Sequence, residues 1–432
     1  MLVLELHKKY GSVIRITPND LSYQEPNAWK EIMGHRKAGQ QENDKEFYYR
    51  QPSLENIVGA YKDKHNMMRR SLSAAFSAQA MENQQPLIQT YINLFIQRMH
   101  ENVAKGNTVD MVSWFNWTTF DIIGDLAFGE PFGCLESSSM HPWIAQLFDS
   151  VSFQVFGSEL SRYPLIGAIL PKLLPPKFAK AKEARGQFAA EKVDRRIARG
   201  ERPDLIGAML KKKEHFTDRE VWNNADALIV AGSETTATTL SATTYYLAKH
   251  PDIQAKLAAE VRGAFASEED INIHSVQKLP YMLAVLNEAL RIFPPAPTAL
   301  PRSTPPEGAS ICGEFIPGGT GLHIFQWALF HNPELWADPE EYVPERWLGT
   351  DPRYEKDERE ALKPFSFGPR DCIGKNLAYT EMRIIMSRLI WNFEWTLVDD
   401  GVSPTWADNQ DIHLLWHKPA LNIKLKERVV SN

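Results

Sequence analysis

The sequence predicts a mainly α fold with small β-sheets on one continuous domain, and three observations predict it. Helical periodicity runs through most of the chain as far as about residue 293. A capping box, Thr217-Asp-Arg-Glu220, opens a helix of about 30 residues, roughly 45 Å long, that Pro251 ends. No internal repeat, low-complexity tract or Gly/Ser linker divides the 432 residues into independent parts.

Each element has its own local reason. Residues 13–16 and 21–23 flank a Thr-Pro-Asn-Asp turn and read as a small hairpin. A helix begins at Pro280, where a missing N–H costs nothing, and stops at Phe293 before Pro294-Pro295. Prolines crowd residues 294–306, which must therefore be extended or turning. Short strands are expected at 309–316, 320–325 and 421–425.

Composition bounds the function. Hydrophobic residues make up 43% and aromatics 11%, enough for a large core, while a net charge of -6 provides no basic stripe to hold nucleic acid. Three cysteines without paired spacing argue against a disulfide framework and for a reducing compartment. His413 and His417 are four apart but read as strand or loop, and without a His-Glu-x-x-His motif a zinc site is not expected. No run approaches the ~20 apolar residues that span a bilayer, and the apolar part of the N-terminus is too short for a signal peptide.

The most informative stretch is Phe365-Ser-Phe-Gly-Pro-Arg-Asp-Cys-Ile-Gly374, a glycine-flanked loop feeding a helix. Gly368 and Gly374 can take positive φ and let backbone N–H groups approach the sulfur of Cys372, lowering its pKa. Arg370 adds positive charge, and Phe365 shields a thiolate that oxidant would otherwise consume. A lone cysteine is usually a small buried hydrophobe, which is the reading kept for Cys134 and Cys312. At Cys372 a thiolate held this way can be the axial ligand of a haem iron. This Phe-x-x-Gly-x-Arg-x-Cys-x-Gly signature resembles that of the cytochrome P-450 family of haem-thiolate enzymes.

A second motif, Ala231-Gly-Ser-Glu-Thr-Thr236, lies near the middle of the long helix. Thr235 is placed to bond the Ala231 carbonyl and loosen the local ladder, and Gly232 removes a side chain beside it, leaving a polar notch with room for a diatomic ligand and a water. Such a run also fits a Ser/Thr-rich helix that merely faces water. Glu234 and Thr235 match the acid–alcohol pair of the family, which relays protons to dioxygen. Two further segments complete the resemblance: Glu288-Ala-Leu-Arg291 on the helix that starts at Pro280, and Pro344-Glu-Arg-Trp347, whose Arg346 is expected to join Glu288 and Arg291 in a buried network.

The resemblance covers the chain from the hairpin to Trp416 and implies haem b between the long helix and the Cys372 loop. Arg69, Arg302 and Arg370 are the implied propionate partners, His65 stands where many relatives have tryptophan, and Arg70 is expected to be solvated. Ala227, Leu228 and Ala231, with Thr298, Ala299 and Leu300, are the expected lining of an apolar substrate pocket. No dinucleotide-binding glycine fingerprint follows a strand, so electrons are expected from a separate NADPH-dependent flavoprotein reductase docking near Lys375.

The segment from Trp117 to Phe132 resembles fungal microsomal members, including those of trichothecene pathways, which implies a lipophilic secondary metabolite as substrate. The family also implies the cytosolic face of the endoplasmic reticulum, a membrane contact through the apolar stretch 163–176, and an N-terminal anchor preceding residues 6–23 that is absent from this chain. A haem-thiolate isomerase or dehydratase, a non-catalytic haem binder and an inactive relic are the alternatives.

Overall fold

The structure is a computed structural model that describes residues 2–36, 40–46, 55–145, 160, 163, 176–408 and 410–428. In chain order the main elements are α1 (Leu2–Tyr10), β1 (Val13–Thr17), β2 (Asp20–Tyr23), β3 (Asp44–Lys45), α2 (Lys62–Ser73), α3 (Ala78–Ala104), β4 (Val109–Asp110), α4 (Met111–Phe128) and α5 (Pro176–Ala198). They continue with α6 (Asp218–Lys249), α7 (Pro251–Ala264), α8 (Pro280–Ile292), β5 (Arg302–Ser303), β6 (Ala309–Ile311), β7 (Glu314–Ile316), β8 (Gly321–His323), α9 (Lys375–Asn392), β9 (Phe393–Leu397) and β10 (Asn422–Glu427). The chain is mainly helical with small sheets, as its sequence predicts.

Contacts divide it into two compact units, each assembled from separate stretches. Met1–Gln51, Leu283–Lys375 and Leu414–Trp416 form the first; Pro52–Met282, Asn376–His413 and His417–Asn432 form the second.

The first unit is organised on a five-stranded sheet of order β1-β2-β8-β5-β3. The β1–β2 hairpin pairs Val13 with Tyr23 and Arg15 with Leu21 in antiparallel register, and β2 runs parallel to β8 with Leu21 opposite Leu322. Tyr23, Trp29, Leu322, Phe330 and Trp336 centre its core. β6 and β7 form a separate ribbon.

In the second unit α4 and α6 make the most extensive helix–helix contact among the described residues. Both are buried over most of their length, so neither shows the one-sided pattern of a surface helix. The capping box forms as expected: Thr217 Oγ1 accepts from Glu220 N–H and the Glu220 carboxylate accepts from Thr217 N–H. A three-stranded sheet of order β4-β10-β9 closes the unit, pairing Ile423 with both Val109 and Leu397. Strand β9 escapes sequence reasoning because it follows α9 directly, with no glycine or proline to mark the change. Residues 164–175, most of the stretch expected to touch a membrane, lie outside the described residues, and among those described no helix is long and apolar enough to cross one.

Candidate active site

The Cys372 loop belongs to the first unit. It is closed by the Cys372 N–H, which donates to the Phe365 carbonyl at 2.8 Å, and by a single helical turn over Gly368–Arg370. Gly368 has φ +81°, and a Cβ there would lie 2.1 Å from the Met33 carbonyl oxygen, so only glycine fits. Ser366 is held at φ +61°, a strained value for a residue with a side chain. Cys372 is exposed, and α9 begins three residues later at Lys375, presenting its positive dipole end beyond Gly374. Lys375 Nζ lies 5.9 Å from the centre of the Phe365 ring.

Arg370 departs from expectation. It is not simply a cation beside sulfur: its side chain is 6% exposed, and Nη2 reaches Asp44 at 3.2 Å and Glu42 at 3.7 Å, so its charge is compensated. Its Nη1 is buried without a hydrogen-bond partner, a spare donor next to the cysteine. Arg302, on β5, is buried and donates from Nη1 to the Leu300 and Pro301 carbonyls at 3.2 and 3.1 Å. In the turn before it Ala299 is buried, Thr298 and Leu300 are partly so, and Thr298 Oγ1 has no partner. An accessible thiol in a glycine loop, with an unpaired buried guanidinium nitrogen close by in sequence, fits a haem: the sulfur as iron ligand, the nitrogen as donor to a propionate.

Elsewhere in the first unit the structure brings Glu288, Arg291 and Arg346 together, all wholly buried. Arg291 clasps Glu288 with two bonds of 3.0 and 2.8 Å, and Arg346 Nε donates to Glu288 Oε1 at 3.0 Å. Trp347 Nε1 and the Val343 N–H also donate to Glu288, and Asp357 pairs with Arg346. These cations and donors outweigh desolvation and hold the Glu288 carboxyl below its usual range. Sequence reasoning missed Asp357, which carries no motif of its own.

The second unit holds the acid–alcohol pair. Thr235 Oγ1 donates to the Ala231 carbonyl at 2.7 Å, and Ser233, Thr239, Ser241 and Thr243 make the same four-back bond. Ser233, Thr236, Thr238, Thr239, Ser241, Thr243 and Thr244 are buried, so this is not a helix that faces water. The notch at Gly232 is corrected: a Cβ there would lie 3.0 Å from Ile123 Cδ1 of α4, so the absent side chain is what lets the helices touch. Ala227, Ala231 and Thr235, four apart, form a less buried stripe, whereas Leu228 is buried. Glu234 is buried, with Oε1 paired to Lys418 and Oε2 without a partner. Lys418 also went unnoticed in the sequence, because a lysine in His417-Lys-Pro419 looks like an ordinary solvated charge.

On α2, also in the second unit, His65 is buried with Nδ1 3.4 Å from Asn66 Oδ1, and Arg69 is partly buried. Arg70 is exposed, as a solvated arginine should be. His413 and His417 fall on the short strands Asp411–His413 and Leu415–His417. Cys134 is buried, which pushes its thiol up to about 12, and Cys312 is partly buried and likewise raised.

Comparison with known proteins agrees with this geometry. The family model described as Cytochrome P450 matches residues 1–425. The chain is 44% identical to a trichothecene C-15 hydroxylase of Fusarium sporotrichioides, covering 98% of this chain and 87% of that protein. It is 43% identical to the cytochrome P450 monooxygenase astA of Talaromyces wortmannii, over 98% and 86%, and 40% identical to an averantin hydroxylase of Dothistroma septosporum, over 99% and 81%. Motif order, mainly helical fold and near-complete coverage lead to one conclusion: the chain belongs to the cytochrome P450 family and is an oxygen-incorporating oxidoreductase.

Proposed function

We propose that this chain is a haem-thiolate monooxygenase that inserts one oxygen atom of dioxygen into a lipophilic secondary metabolite, working as one domain over residues 1–432. Cys372 would hold the haem iron through its thiolate, Phe365, Gly368, Arg370 and Gly374 would shape the loop around it, and His65, Arg69, Arg302 and Arg370 would serve the haem and its propionates. When bound, haem supplies reductive cleavage of dioxygen, which a thiolate ligand favours by donating electron density. The chain contributes the rest. Glu234 takes up protons and the Thr235 hydroxyl passes them on, and Ala227, Leu228, Ala231 and residues 298–300 give the substrate an apolar lining.

The observation that carries this reading is a buried carboxylate with one unpartnered oxygen, next in sequence to a hydroxyl committed only to its own helix. A haem protein that merely binds a ligand, or isomerises its substrate, has no use for that pair. The relatives' names, trichothecene and averantin hydroxylases, support a secondary metabolite as substrate. Electrons come from NADPH through a separate flavoprotein reductase that docks near the exposed Lys375. The site of action is the cytosolic face of the endoplasmic reticulum, with residues 163–176 touching the bilayer surface.

A reduced carbon monoxide difference spectrum of wild type and Cys372→Ser tests the ligand. Wild type is expected to give the thiolate-type band and Cys372→Ser to lose it; persistence of the band in the variant overturns the assignment. Turnover that proceeds without NADPH and reductase would instead establish the isomerase reading.

A further inference from the structure

Glu234 is held by a residue 184 positions away in sequence. Lys418 Nζ donates to Glu234 Oε1, and the same ammonium donates to Thr238 Oγ1 at 2.8 Å. Thr238 Oγ1 itself lies 3.5 Å from that Oε1. The two charged side chains are 2% and 5% exposed, so the pair sits out of water. Two donors thus close on one carboxylate oxygen, while Oε2 is buried with no partner.

The backbone around Lys418 is pinned. Trp406 Nε1 donates to the Pro419 carbonyl at 3.0 Å, and the Leu421 N–H donates at 2.9 Å to Asp110, whose carboxylate also caps α4. From Asn422 the chain is locked into β10. The ammonium is therefore delivered to Glu234 by fixed structure and not by a wandering surface side chain.

Stability does not account for the arrangement. A buried ion pair gains little net free energy over an apolar pair of similar size, and a buried oxygen left without a donor is a cost. A polar group kept at such a cost beside a proton-handling residue is what a functional constraint produces.

Resting on the reading of Glu234 and Thr235 as a proton relay, we propose that Lys418 is the positioning residue of that relay. Its ammonium keeps Glu234 ionised and fixes Oε1, so that Oε2 is the oxygen that takes up and releases the relayed proton. Burial pushes the lysine down to about 7, whereas an opposite charge in contact favours the charged form.

The test compares wild type, E234Q, K418M, K418R and K418M/E234Q as haem-loaded protein with reductase. Infrared difference spectra are expected to show in K418M one protonated carboxyl band beyond that of buried Glu381, which all the proteins share, and to show no such extra band in wild type or K418M/E234Q. With substrate affinity unchanged, K418M is expected to divert electrons about tenfold or more toward hydrogen peroxide, two electrons and two protons per dioxygen, at the expense of product. K418R, which keeps a cation, is expected to restore coupling. K418M/E234Q, which removes both buried charges, is expected to match E234Q in coupling, and this comparison remains available if K418M alone does not fold. Absence of the extra carboxyl band in K418M, or a further loss of coupling on adding K418M to E234Q, overturns the proposal. If E234Q uncouples and K418M does not, only the role of Lys418 fails; if E234Q stays fully coupled, the relay itself falls.

Discussion

At Glu288 five donors converge on one carboxylate: two from Arg291 and one each from Arg346, Trp347 and the Val343 backbone. Removing the carboxylate leaves the buried Arg291 without a counter-ion and Arg346 with Asp357 alone, which costs about 3–5 kcal/mol. Glu288→Ala is therefore expected to accumulate, if at all, as destabilised protein without haem, measured by haem-to-protein ratio and thermal unfolding; full haem content with normal stability would refute this. Glu288 and Arg291 were legible in the sequence because they lie three apart on one helix, and Arg346 because its segment resembles a family motif. Asp357 and Lys418 were not. Asp357 meets Arg346 11 positions away and Lys418 meets Glu234 184 positions away, and a single Asp or Lys at the surface or in the core reads the same until its surroundings are known.

Among the elements, α6 was the most legible, since its capping box, its length and its proline stop are all local signals. Its meaning for the site was less so. The sequence places Gly232 beside Thr235 but cannot say what stands opposite, and only the packing of α4 shows that Ile123 fills the space. Gly232→Val is expected to overpack this contact and lose roughly 1–3 kcal/mol of stability. Combined with Ile123→Val it should lose less than the sum of the two single changes, measured by chemical denaturation; strict additivity would show that the two residues do not press on each other. Strand β9 marks the opposite case, an element set by pairing with β10 and carrying no boundary of its own.

For the whole molecule, a buried carboxyl on α9 ties stability to pH. Burial pushes Glu381 up to about 8 from 4.5. The native chain thus holds a proton there that the unfolded chain releases, and stability falls as pH rises from about 4.5 to 8. Glu381→Gln is expected to remove this component and to gain roughly a few kcal/mol over wild type near pH 8, read from denaturation midpoints across pH. A wild type whose midpoint does not change more steeply than that of Glu381→Gln over this interval would disprove it.

By itself the sequence determined the fold class, the family and the residues of the motifs, because those are written in short-range spacing: a glycine loop around Cys372, an acid and an alcohol in adjacent positions, a Glu and an Arg one helical turn apart. Tertiary structure alone decided which charges are compensated and which polar atoms are left over. Arg370 meets Asp44, Arg346 meets Asp357 and Glu234 meets Lys418 only after the chain has folded, since whether a buried charge is paired depends on what distant segments bring to within hydrogen-bond reach.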